Sequence, residues 1–222
     1  MGQVLPVFPL GTVLFPGRPL PLHIFEERYR QLVRDLLIRP EPRQFGVIAI
    51  RQGAEVGAHS VTAMYEVGCL ATVLEVTEFP DGRFALRAAG GQRFRLGELD
   101  RSGLYLQAEV ELLAEETGDP PAAQAAASAV REAFTGYLEA LTARGLAQDT
   151  TAVLAEDPVE LSYQVAAAMV LGLPARQALL AEPDAQARLG AERALLARET
   201  TVLRALTSAP APDLRYSRYH PN

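Results

Sequence analysis

The sequence contains no lysine and no tryptophan; all 21 of its Lys+Arg side chains are arginine. The missing amine excludes Schiff-base chemistry. It also excludes a phosphate loop of the G-x-x-x-x-G-K-[ST] type, whose lysine reaches the phosphates, and a Ser–Lys catalytic dyad. A GC-rich codon bias accounts for the arginine excess, but the exclusions hold whatever its cause. Cysteine is nearly absent too. Cys69 stands alone, so no intrachain disulfide forms, and His23, His59 and His220 are too scattered for the clustered spacing of a zinc site. Long apolar runs are missing: none approaches the roughly 18 residues that suggest a membrane span. The first residues carry no basic leader, and Pro6 stands where a myristoylation motif needs Ser or Thr. These absences predict a cytoplasmic protein without cofactor or metal.

Basic excess is lacking as well. The net charge is −6, divided as about −1 over residues 1–113 and −5 over residues 114–222, which argues against DNA as a partner. What is present changes character near Glu115-Glu116-Thr117-Gly118-Asp119-Pro120-Pro121. Before it, short β-branched and aromatic runs alternate with Gly and Pro. After it, Ala, Leu, Glu and Arg dominate. The reading is a β-rich domain over 1–117, a helical domain over 118–207 and a loose Arg/Tyr/Pro tail over 208–222.

In the first part, Val4–Leu10 and Leu20–Ile24 read as strands, and the prolines inside them suggest sheet edges or irregular ends. A helix spans Glu26–Ile38 with Tyr29, Leu32, Val33, Leu36 and Leu37 on one face, stopped by Pro40 and Pro42. Phe45–Arg51 is a strand, residues 52–65 a loop, and Tyr65–Phe79 one long strand or two, turned back by Pro80-Asp81-Gly82. Arg83–Ala89 and Gln92–Leu99 read as a hairpin around Gly90-Gly91. A three-residue turn with a left-handed Gly there would put Phe84, Leu86, Ala88, Phe94 and Leu96 inside. It would leave Arg83, Arg87, Arg93 and Arg95 outside. Tyr105–Leu113 closes the series.

In the second part, Pro121–Ala143 is an Ala-rich helix with a Val130, Phe134, Leu138, Leu141 stripe. Asp157-Pro158-Val159-Glu160 starts a helix that runs to Leu171 and stops at Gly172. Pro174–Ala181 is a short helix, and a long one runs from Asp184 to about Leu206. Leu189, Leu196 and Leu203 on the latter suit either a bundle core or another chain.

Few residues suggest chemistry. His23, Glu26 and Glu27 would serve a metal or an acid/base pair, or simply suit the positive end of the helix that starts there. The serines show no G-x-S-x-G elbow, and Cys69 lies in an apolar run as an inert core thiol. The outward arginines would bind RNA or an acidic peptide, or be a solvated face diluted by Glu78, Asp81, Glu98 and Asp100.

The opening stretch is more informative. Leu5-Pro6-Val7-Phe8-Pro9-Leu10, Val13-Leu14-Phe15-Pro16-Gly17 and Pro19-Leu20-Pro21-Leu22-His23-Ile24-Phe25-Glu26-Glu27-Arg28-Tyr29 closely resemble the start of the Lon protease N-terminal, substrate-binding domain family. The resemblance continues through Tyr65-Glu66-Val67-Gly68-Cys69-Leu70-Ala71, Gly91-Gln92-Arg93-Phe94-Arg95 and Gln177-Ala178-Leu179-Leu180. It implies an α+β fold: a PUA-like twisted β-barrel holding one helix, followed by a C-terminal helical bundle. It implies a stand-alone, non-enzymatic module that recognises unfolded or apolar protein segments, an adaptor for a protease or chaperone. It supplies no catalytic residues, and the alternative is an RNA-binding PUA-like protein. The density of aromatic, Met and Pro groups outside clean strand alternation marks Phe15, Pro16, Arg18, Pro19, Phe25, Met64 and Tyr65 as the candidate peptide-binding surface. The competing reading is that most of them fill the barrel.

Overall fold

The computed structural model describes residues 2–54, 61–146 and 153–207. Seven strands come first: β1 (Gln3–Leu10), β2 (Pro19–Ile24), β3 (Gln44–Gly53), β4 (Val61–Met64), β5 (Val67–Glu78), β6 (Phe84–Asp100) and β7 (Gln107–Leu112), with helix α1 (Glu27–Leu37) between β2 and β3. Four helices follow: α2 (Pro120–Thr142), α3 (Pro158–Ala168), α4 (Leu173–Ala181) and α5 (Ala185–Thr207). The strand order is β1-β7-β6-β5-β3, and β3 returns to pair with β1 in parallel, so the ladder is cyclic. β2 lies on β6 and β4 on β3.

β1 is central to this closure and is not an edge strand. Residues 3–6 are laddered to β7 and residues 7–10 to β3. Each half has a strand on one side only, which explains how Pro6 and Pro9 are tolerated without their N–H groups. The stretch read as a loop over 52–65 holds β4. Residues 55–60 of that stretch, with His59, lie outside the described residues, as does the 208–222 tail with His220.

The expected hairpin at Gly90-Gly91 is not there. β6 runs through both glycines as one strand of 17 residues, and neither glycine has a positive φ, unlike Gly17, Gly53 and Gly82. Between the pairs Ala71–Gly90 and Cys69–Arg93 the β6 side advances one residue more than β5. This bulge exchanges the two faces of the strand beyond it. Phe84, Leu86 and Ala88 pack toward α1, whereas Phe94 packs among Leu5, Val7, Ile48, Leu70, Ala108 and Val110. Three of the four arginines are exposed as expected. The fourth, Arg93, is only 2% exposed, because the bulge places it on the face that meets the helices. Gly90 is required for a different reason from a turn. A Cβ there would stand 2.1 Å from the Phe15 carbonyl oxygen, where the segment after β1 crosses β6. Its N–H donates to the Arg18 carbonyl at 2.8 Å, and its carbonyl accepts from the Gly17 N–H at 2.9 Å.

α1 buries Tyr29, Leu32, Val33 and Leu36. Tyr29 stacks on Phe8 with ring centroids 3.9 Å apart. Leu37, expected on that face, is 36% exposed, at the helix end where the chain turns away. In the helical part, Asp119 and Asp157 accept from the Ala122 and Glu160 N–H groups as N-caps. α3 ends at Ala168, short of the expected Leu171, with the Met169 backbone already extended. Val130, Phe134, Leu161, Val165, Leu189 and Leu196 share one core, so the α5 leucine stripe is covered within the chain.

That core carries one anomaly. Glu192 is fully buried, and neither carboxylate oxygen has a hydrogen-bond partner. Burial pushes its pKa well above the ordinary 4.5, against the pull of Arg188 one turn away. The folded protein therefore holds a proton that the unfolded chain gives up, and this contribution to stability is full below about pH 4.5 and declines as pH rises. Glu192→Gln is expected to match the parent in urea denaturation at pH 4 and to exceed it by more than about 1 kcal/mol at pH 8. A constant offset at both pH values would refute the assignment.

Candidate functional site

The strand and helical parts meet around a third core. Val13 and Phe15 from the segment after β1, Ala49 and Val67 from the sheet, and Tyr163, Ala166, Leu179 and Leu180 from α3 and α4 pack together there. Phe15 is 1% exposed. The Arg176 guanidinium lies 5.3 Å from its ring centroid and Tyr163 lies 6.4 Å away. Phe15, one of the seven candidate surface residues, therefore joins the two parts from within, because Gly17 and Gly90 let its segment lie directly on β6.

A buried polar cluster reinforces this joint. Arg93 Nε donates to Glu115 at 2.9 Å, and its Nη1 and Nη2 donate to the carbonyls of Leu180 at 2.9 Å and Pro183 at 3.3 Å. Arg188, also fully buried, donates to Leu179 O at 3.0 Å and Ser162 Oγ at 2.9 Å, with its guanidinium 4.0 Å from the Tyr163 ring centroid. Tyr163 donates its hydroxyl to Glu115, and burial raises its pKa above the ordinary tyrosine value. The two arginines thus collect carbonyls at and just beyond the end of α4, where the helix dipole is negative and orphan acceptors need donors. They set where α4 sits against the sheet.

Beside this joint lies an open groove of about 380 Å³. Met64, Tyr65 and Val67 line one wall, and Pro174, Gln177 and Ala178 of α4 line the other. Arg51 and Glu66 add one charge of each sign. Met64 and Tyr65 are half-buried and Ala178 is exposed. Of the seven candidate residues, the structure brings these two into the groove. Pro16 and Arg18 are half-buried and Pro19 is exposed on the segment before and into β2. Phe25 is 53% exposed at the junction of β2 and α1 and does not line the groove.

The other candidates for chemistry are occupied structurally. Glu26 pairs with Arg28 at 3.0 Å, and Glu27 with Arg30 at 2.9 Å and Arg34 at 3.1 Å. Glu26 is the N-cap of α1 by backbone position but makes no side-chain cap bond. Among the described residues no group of three or more His, Cys, Asp and Glu is placed to hold a metal. Cys69 is fully buried, and burial pushes its thiol up to about 12, leaving negligible thiolate at neutral pH. The three exposed arginines among the four singled out from the sequence are each paired with an acid: Arg83 with Asp81, Arg87 with Glu75 and Arg95 with Glu111. With Arg93 buried as well, the face that suggested RNA is neutralised. No helix among the described residues is long and apolar enough to cross a membrane.

Sequence reasoning missed Arg93, Gln177 and Arg188. Arg93 shares the Arg-Phe-Arg alternation of Arg95 and lies on the same face beyond the bulge; what distinguishes it is that the end of α4 docks over it. Gln177 stands beside Arg176 in the otherwise apolar Leu173–Ala181, and its depth depends on where α4 docks.

These features define a mixed α/β chain with an open groove where its sheet meets its helices. The profile of the ATP-dependent protease La (LON) substrate-binding domain matches residues 4–198, and the chain belongs to that family. It is 29% identical over 190 residues to a Lon protease 2 of Syntrophobacter fumaroxidans, covering 84% of this chain and 23% of that protein. It is 26% identical over 200 residues to the Lon protease of Escherichia coli K12, covering 90% and 25%. The chain thus spans about a quarter of these relatives. Among solved structures, a Lon N-terminal domain protein from Xanthomonas campestris superposes with a TM-score of 0.61 at 25% identity, covering 88% of this chain and 98% of that one. The N-terminal domain of a Mycobacterium avium complex Lon protease has the same fold, with a TM-score of 0.65 at 20% identity, covering 90% and 98%.

Proposed function

We propose that this chain is a non-catalytic recognition module that binds unfolded or apolar segments of protein in the cytoplasm, as an adaptor for proteolysis or chaperoning. The observation that carries the reading is the groove at the sheet–helix junction in a chain of a substrate-binding family. Its walls are largely apolar and its two charges cancel, which suits protein better than nucleic acid. The cyclic ladder holding α1 is read as a PUA-like barrel and α2–α5 as the bundle, dividing the chain at about residue 117. The contact surface centres on Met64 and Tyr65, with Pro16, Arg18, Pro19 and Phe25 as outlying contacts and Phe15 as their support.

Reduced, carboxymethylated α-lactalbumin, which cannot fold, serves as the probe. It is expected to bind the full chain, and raising salt from 0.1 to 0.5 M should change the affinity by less than about threefold, because apolar contact is unscreened. Ala178→Glu places a charge in the groove from an exposed helix position. It is expected to weaken binding at least about tenfold, a loss of roughly 1.4 kcal/mol, with an unchanged melting temperature. Equal binding by this variant would remove the groove from the reading, and no binding by the parent chain would remove the reading itself.

A further inference from the structure

Gln177 is 4% exposed and lines the groove. Its Nε2 donates to the Val67 carbonyl oxygen at 2.8 Å. A carbonyl can only accept, so the side-chain nitrogen must face Val67 and the oxygen must face away. That oxygen, Oε1, is enclosed and has no hydrogen-bond partner. An unsatisfied buried acceptor is destabilising and calls for an explanation. At the groove rim, the Arg51 and Glu66 side chains are both exposed, supply opposite charges and enter no ion pair among the described residues.

We infer that Gln177 is the hydrogen-bonding determinant of the groove: its Oε1 accepts a backbone N–H from an extended, apolar, near-neutral polypeptide segment. The inference rests on the peptide-binding reading and says how the segment is held. The charges argue for this occupant. One arginine and one glutamate leave the groove without net charge, which is unsuited to a polyanion and matches a chain whose own polar groups are backbone amides. The wall chemistry agrees. Met64, Tyr65, Val67, Pro174 and Ala178 offer apolar contact, so an occupant without a donor would leave Oε1 unpaired. Met64, which lines the same groove, is unbranched with three rotatable bonds and can re-pack as the segment enters. Recognition through a backbone N–H is indifferent to side-chain identity. The groove therefore selects for an extended, apolar chain and not for a motif.

The test is an N-methyl scan of a peptide from carboxymethylated α-lactalbumin that binds the full chain. Methylation at one position is expected to lower affinity about fivefold, the worth of one hydrogen bond. The same peptide should lose less than about twofold against Gln177→Met, which keeps the side-chain length and lacks the acceptor. An ester scan against the unmodified chain repeats the measurement without any protein variant. The amide-to-ester change at that position should again weaken binding about fivefold. A flat scan, or an identical scan for Gln177→Met, overturns the role of Gln177 while binding of the unfolded probe stands. Failure of the parent chain to bind the probe at all overturns both. A second copy of this chain occupying the groove, read as a dimer that competes with the peptide in sedimentation, overturns it too.

Discussion

Replacing Arg93 with alanine is expected to destabilise the chain by about 3–5 kcal/mol, the loss typical when one member of a buried ion pair is removed. Arg93 is 2% exposed and its partner Glu115 is 29% exposed by side chain, so part of the carboxylate can rehydrate and the lower half of that range is expected. The carbonyls of Leu180 and Pro183 cannot be rescued so easily. They lie in the last turn of α4 and just beyond it, and Arg93 is a donor that reaches them from the sheet. The loss should appear in urea denaturation as a lower midpoint. The second expected mark is early exposure of the α4 amides in hydrogen exchange, ahead of β5 and β6. Arg95→Ala is the control: that residue is exposed and paired at 3.3 Å with an exposed Glu111, so its removal should change stability by less than about 1 kcal/mol. Equal effects of the two substitutions would show that Arg93 is not a clamp.

Gly90→Ala and Gly91→Ala should differ sharply. A Cβ on Gly90 would meet the Phe15 carbonyl oxygen at 2.1 Å and its carbon at 2.9 Å, both backbone atoms that cannot rotate aside. The segment carrying Phe15 would have to lift from β6, taking the two hydrogen bonds to Gly17 and Arg18 with it. Overpacking of this kind costs about 1–3 kcal/mol and occasionally more, and the backbone clash puts Gly90→Ala at the upper end. A Cβ on Gly91 meets nothing closer than 3.6 Å, and its φ is not positive, so Gly91→Ala should fall within about 0.5 kcal/mol of the parent. A hairpin with a left-handed glycine would instead penalise whichever glycine held the positive φ. Thermal denaturation of the two variants therefore tests the continuity of β6 directly.

Much of the local structure was legible in the sequence. Asp157-Pro158 announced the start of α3. The 3.6-residue periodicity of Tyr29, Leu32, Val33 and Leu36 announced the buried face of α1. Pro80-Asp81-Gly82 announced the turn between β5 and β6. Each of these signals acts within a few residues, through a cap, a stripe or a fixed φ. The Gly90-Gly91 pair misled because glycine has two uses. It relieves φ in a turn, and it makes room where another backbone passes. Only the position of the Phe15 carbonyl distinguishes them. Leu37 misled because a periodic stripe does not say where the chain leaves the helix. Of the candidate surface, Met64 and Tyr65 face the groove while Phe15 is buried, since aromatic density marks contact but not whether the contact is internal.

By itself, then, the amino-acid order determined the family, the change from strands to helices near residue 117, and the absence of any lysine-dependent chemistry. These depend on residue identity and short-range spacing. Tertiary structure alone decided that Arg93 is a buried clamp while Arg95 is a surface charge, that Phe15 joins the two parts from within, and that Gln177 stands in the groove with an unpaired oxygen. Each of those outcomes turns on a bulge, a crossing or a docking distance between segments some 75 to 110 residues apart. A one-residue bulge exchanges the faces of a strand, and nothing in the local sequence of β6 says that it is there.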